Sequence, residues 1–169
     1  MRTHRLLSGS ALVLITAVFS ACGKAADSWQ DASAAYQAGE AAKASGDLET
    51  ALKAFDFAAV DAAATPSQRY GALLGTAEVQ ARLGQVSAAE ATFAKVQKDH
   101  ADLLDVRGLR RMADAWIKAG QAEPAAAVVT AALARFPDQA EAFAKVRQGI
   151  DALKSGDAAA LQELGYVGD

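Results

Sequence analysis

Four glycines recur along this chain at nearly constant spacing: Gly46, Gly84, Gly120 and Gly156, separated by 38, 36 and 36 residues. Each follows a helix-like stretch and precedes another. After the first three, an alanine stands five residues on (Ala51, Ala89, Ala125) and an apolar residue nine on (Phe55, Phe93, Val129). A glycine between helices permits a left-handed turn at no steric cost. The alanine lets two helices approach closely, and the larger residue fills the space beyond it. The spacing therefore predicts helix pairs stacked in series, with helices near 29–44, 48–63, 67–83, 86–99, 103–119, 123–135 and 138–154 and a short piece near 158–164. Asp47 is placed to cap the second helix and Pro124 falls in the first turn of the sixth.

The pattern resembles the tetratricopeptide repeat, a helix–turn–helix unit of about 34 residues. The resemblance implies an all-α fold, a short right-handed helix–turn–helix solenoid of three repeats (about 32–65, 70–103 and 106–139) with a C-terminal cap over 140–169. The small eighth position is then Gly39, Ala77 and Ala113, and the small twentieth is Ala51, Ala89 and Ala125. The aromatic twenty-fourth is Phe55 and Phe93, with Val129 in the third unit, and Pro137 matches the repeat-ending proline. Position four of the first repeat is Ala35, where the family carries bulk, so helix packing there is expected to be weaker. Trp116 is expected in the core. The final helix should be polar on its outer side, at Glu141, Lys145, Arg147, Gln148 and Asp151, because an end repeat has no neighbour to cover it. In the tail, Tyr166 reads as a packing anchor.

The N-terminus carries a separate signal. Arg2, His4 and Arg5 precede the apolar run Leu6 to Phe19, and small residues lead to Cys22, the single cysteine. A charged start, an apolar stretch and a small-residue cleavage site form the layout of a secretory signal peptide. Phe19-Ser20-Ala21-Cys22 resembles the lipobox of bacterial lipoproteins. The resemblance implies a signal peptide over 1–21, cleavage before Cys22, lipidation of its thiol, and a tether over 22–28. It further implies a lipid-anchored protein of the bacterial envelope, with Gly23 favouring the outer membrane facing the periplasm. With its one thiol so used, the chain has no intrachain disulfide, and the domain over 29–169 stands on its core alone.

Charge and motifs narrow the function. The net charge of −3 becomes −5 once residues 1–21, with two arginines and no acid, are removed. A mildly acidic chain with mixed charges lacks the basic footprint of a nucleic-acid binder. Beyond the signal there is one histidine, His100, and no HExxH, CxxC, Walker loop or GxSxG. His100 reads as a partner of a helix C-terminus. Acid pairs such as Asp102 with Asp105 or Glu90 with Asp99 read as solvated helix faces. The expectation is a non-catalytic protein without metal or cofactor.

In the resembled family the first helix of each repeat lines a concave groove. That implies a protein- or peptide-binding surface built from Tyr36, Glu40, Lys43 and Ala44, then Leu74, Glu78, Ala81 and Arg82, then Arg110, Asp114, Ile117 and Lys118, with Arg107 beside them. Glu40, Glu78 and Asp114 would run along that groove. Equally, Glu78–Arg82 and Asp114–Lys118 are i,i+4 pairs in the favourable order, worth about 0.2–0.5 kcal/mol each. Tyr36 with Glu40 stands where chaperone-binding members carry a lysine–asparagine carboxylate clamp, so that role is disfavoured. The sequence supports two functions: an adaptor presenting the groove, or an assembly subunit of an envelope or secretion complex that uses its convex face or solenoid ends.

Overall fold

The computed structural model describes residues 29–167. Signal peptide, Cys22 and tether lie outside the described residues. Gly46 takes φ 84°, and Gly84, Gly120 and Gly156 take 73°, 73° and 71°. Each marks a turn between two helices that an L side chain would strain. The helices are α1 (Ala32–Ser45), α2 (Leu48–Val60), α3 (Pro66–Arg82), α4 (Val86–Asp99), α5 (Val106–Lys118), α6 (Ala122–Arg135), α7 (Ala144–Ser155) and α8 (Ala158–Glu163). They pack consecutively into an all-helical solenoid, with no strand among the described residues.

The starts of α1, α2, α3, α5 and α8 carry side-chain caps. Asp31, Asp47, Asp105 and Asp157 each accept a backbone N–H three residues on. Thr65 and Gln68 form a reciprocal capping box ahead of Pro66. Asp105 also explains why α5 starts three residues later than its pattern predicts. An N-cap needs extended backbone, which Asp105 adopts (φ −101°, ψ −179°), so the helix opens at Val106.

The cap departs from the expectation of one helix over 138–154. Pro137–Phe143 forms a 3₁₀ stretch, broken at Gln139, and the α-helix begins at Ala144. Pro137 to Glu141 are all exposed and dock nothing ahead of Ala142 and the fully buried Phe143, so no core contact holds these residues in α geometry. The outward polar face holds as expected, with Glu141, Lys145, Arg147, Gln148 and Asp151 all exposed.

Short turns make successive helices antiparallel. Hence α1, α3, α5 and α7 form one row of neighbours running the same way, with α2, α4 and α6 behind them. The main core lies between α3 and α8, around Leu74, Phe93, Met112, Trp116, Ile117, Phe143 and Val146. Trp116 is 1% exposed.

The first unit is built differently. Ala35 is fully buried, in a cluster of Ala32, Ala58, Ala64 and Ala72. Small residues there bring α1 close to α2 and α3, so missing bulk at position four is not a void. Volume comes instead from Phe55, fully buried and wedged between two glycines. A Cβ on Gly39 would lie 2.7 Å from its ring, and one on Gly75 would lie 2.8 Å from it. Trp29 packs on Phe57, with ring centroids 5.6 Å apart.

Candidate functional site

The N-terminal halves of α1, α3 and α5 enclose a cavity of about 440 Å³ on the inner row. From α1 it takes Ser33, Tyr36 and Gln37; from α3, Ser67, Gln68, Tyr70, Gly71 and Leu74. From α5 come Arg107, Gly108 and Arg111, with Asp105 at the rim. The volume lies in the range of small-ligand or single-side-chain pockets.

Its walls depend on tyrosine–glycine pairs. Tyr36 crosses to α3 and lies over Gly71, where a Cβ would sit 3.1 Å from the ring. Tyr70 crosses to α5 in the same way, and a Cβ on Gly108 would clash outright with its hydroxyl. Tyr36 also packs on Phe55 (centroids 5.7 Å), and Tyr70 faces the His100 ring at 6.3 Å. Burial, joined by the Asp105 charge, raises the Tyr70 pKa above the usual phenol value, so its hydroxyl stays protonated and able to donate at neutral pH.

Below the tyrosines a charge cluster crosses the groove. Glu78 on α3 has a side chain only 7% exposed. Lys43 Nζ lies 2.7 Å from its Oε2, and Arg111 Nη2 donates to the same oxygen at 3.1 Å. Arg111 Nε is 2.7 Å from Oε1, a close charge contact without hydrogen-bond alignment. Both cations also reach Glu40, at 3.0 Å from Lys43 and 3.2 Å from Arg111. Burial opposes the Arg111 charge, and the Glu78 and Glu40 carboxylates override it, holding its pKa above the ordinary arginine value. One guanidinium thus ties α1, α3 and α5 together.

Past this bar the groove reopens into a second cavity of about 600 Å³, lined by Glu40, Lys43, Arg82 and Lys118 at the helix C-termini. Arg82 donates to the Lys43 carbonyl at 3.1 Å.

Several expected groove residues are thereby redefined. Tyr36, Leu74 and Arg107 line the first cavity; Lys43, Arg82 and Lys118 line the second. Glu78 turns to Lys43 and Arg111, not into the expected pair with Arg82, because a carboxylate this buried is held by cations from both neighbouring helices. Asp114 does not extend an open acidic row with Glu40 and Glu78. It accepts a 2.6 Å hydrogen bond from the Tyr166 hydroxyl. The tail brings Tyr166 over Gly149 of α7, repeating the tyrosine-on-glycine device between α5 and α7, and Lys145 stacks on its ring at 5.3 Å. Arg110 is exposed on this cap side, near enough to act on the Tyr166 hydroxyl.

Sequence reasoning passed over Tyr70, Gly71, Gly108 and Arg111. The available signals were the 34-residue step from Tyr36 to Tyr70 and the i,i+4 spacing that puts Arg107 and Arg111 on one face. Elsewhere His100 is the residue that ends α4, its backbone N–H donating to the Val96 carbonyl. Among the described residues no group of three His, Cys, Asp or Glu is placed to hold a metal ion, and no helix is long and apolar enough to cross a membrane.

The tetratricopeptide repeat profile matches residues 71–102, which span most of α3 and all of α4. No curated protein and no solved structure matches the chain. The profile match and the packing of the eight α-helices among the described residues support one conclusion: residues 71–102 match a tetratricopeptide repeat, set in an all-helical, tetratricopeptide-like solenoid.

Proposed function

We propose that this protein is a non-catalytic, lipid-anchored adaptor of the bacterial envelope that holds a protein or peptide partner in the groove formed by α1, α3 and α5. The tetratricopeptide match supports a protein-interaction role. The observation that carries the groove is the cavity walled by Tyr36 and Tyr70, the first with its ring and the second with its hydroxyl set against a glycine of the next helix. Such walls are rigid, amphipathic and open to the outside, which suits recognition of a side chain and the backbone around it. The anchor reading rests on Cys22 behind its apolar run, and it supports an outer-membrane protein facing the periplasm. Tethering would raise the local concentration of the groove for partners at that surface.

Two experiments test the parts separately. Labelling with a fatty-acid analogue should mark the wild type and not Cys22→Ser; equal labelling refutes the anchor. For the groove, partners are captured by crosslinking in cells and identified by mass spectrometry. Ser67→Trp, at the exposed cavity mouth, should abolish capture, whereas Ala94→Arg on the outer face of α4 should not. The reverse result would assign the protein to assembly through its convex face.

A further inference from the structure

We infer that the groove is built for an acidic, extended peptide segment with one apolar anchor side chain; this rests on the groove reading above and names the partner's chemistry. The first support is how charge divides over the fold. The helices of the groove, α1, α3 and α5, carry seven basic and three acidic side chains. All other described residues carry seven basic and fifteen acidic. An acidic domain has gathered half its described cations on three inner helices.

The second support is which of those charges are already satisfied. Glu40 and Glu78 are neutralised by Lys43 and Arg111, and Asp114 is held by Tyr166. Arg69 turns away to the Asp61 and Ala62 carbonyls. Asp105, at the rim of the upper cavity, caps α5 through the Gly108 N–H. Arg107 at the mouth of the upper cavity and Lys118 in the lower one have no carboxylate partner among the described residues, and Arg82 meets only a backbone carbonyl. Unpaired cations therefore stand at both ends of the groove, with the neutral bar of Glu40, Lys43, Glu78 and Arg111 between them.

The dimensions fit. From Ser33 to Ala44 the groove follows α1 for about 17 Å. An extended strand covers that length with about five residues. An anchor side chain fills the upper cavity against Tyr36, Tyr70 and Leu74. Carboxylates on either side of it face Arg107 and, beyond the bar, Arg82 and Lys118. Complementary charge of this kind sets partner choice and encounter rate more than raw affinity.

The test is selection of a phage-displayed random heptapeptide library on the full chain, in parallel with the Arg107→Glu/Lys118→Glu double variant. Both positions are exposed, so folding is preserved and is checked by circular dichroism. Selected peptides should be enriched in aspartate and glutamate around one aromatic or large aliphatic residue. Their affinity should fall on the order of tenfold in the double variant and weaken with added salt. Enrichment of neutral or basic peptides that Ser67→Trp still blocks would overturn the acidic preference and leave the groove reading intact. No enrichment of any class would overturn both. Competition by a single-stranded oligonucleotide as effective as the selected peptide would overturn the peptide assignment in favour of a general polyanion surface.

Discussion

The bar across the groove predicts a measurable non-additivity between Glu78 and Arg111. At about 2.7 Å and an effective dielectric near 20, each close contact supplies roughly 6 kcal/mol of Coulomb attraction before desolvation is subtracted. Desolvation removes most of that, and breaking a buried pair commonly costs about 3–5 kcal/mol, because one charge is left behind. Here the cost is smaller. Glu78→Leu leaves Lys43 and Arg111 sharing Glu40, whose side chain is 36% exposed and can answer only part of two cations. We expect a loss of about 2 kcal/mol for Glu78→Leu. For Arg111→Met, which leaves Glu78 its 2.7 Å contact with Lys43, we expect about 1 kcal/mol. The double variant removes a charge of each sign and should lie within about 1 kcal/mol of wild type, giving a coupling of about 2 kcal/mol. Urea unfolding followed by circular dichroism, with the slope unchanged, measures all four states. Additive losses, or a double variant weaker than either single one, would refute the shared-cluster reasoning.

Two further outcomes follow from the same packing. Gly75→Ala should destabilise by about 1–2 kcal/mol, since overpacking against the Phe55 ring at 2.8 Å outweighs the roughly 1 kcal/mol of helix propensity it gains, and Phe55→Leu should rescue it; a thermal melt showing that Gly75→Ala alone stabilises would sink the wedge. Burial first, and then the hydrogen bond to Asp114, raises the Tyr166 pKa well above the ordinary phenol range. A raised folded pKa means the contribution is complete below about pH 10 and is lost as pH climbs from there toward the folded value. Urea midpoints between pH 9 and 11 should therefore fall more steeply in wild type than in Tyr166→Phe, and parallel slopes would contradict this.

The helices were legible because their punctuation is local. A glycine at a left-handed turn, an aspartate three residues before the N–H it accepts, and an alanine at a close crossing all act within one turn of chain. Pro137–Phe143 was not legible for the complementary reason. Its helical form depends on what Phe143 docks against, and a stretch of polar residues shows no sign of that. Ala35 misled in a related way. Its small side chain suggests weak packing only if volume must come from the same position, whereas Phe55, twenty residues later, supplies it between Gly39 and Gly75.

The site was half legible, and the missing half has a single cause. Assigning groove positions repeat by repeat treats each helix alone, so Glu78 is matched with Arg82 and Asp114 with Lys118, partners one turn away. In the folded chain Glu78 finds its partners on α1 and α5, and Asp114 its partner in the tail, at Tyr166. Burial makes that choice, because a carboxylate 7% exposed needs cations approaching from both sides, and only α1 and α5 can provide them. Arg111 is available because Gly108, one turn earlier, leaves room for the Tyr70 hydroxyl against α5. The same glycine that opens the upper cavity thus lets α3 and α5 approach closely enough for Arg111 to reach Glu78 and Glu40. Binding surface and inter-repeat stability are therefore coupled through one turn of α5, and a substitution that enlarges Gly108 should impair both together.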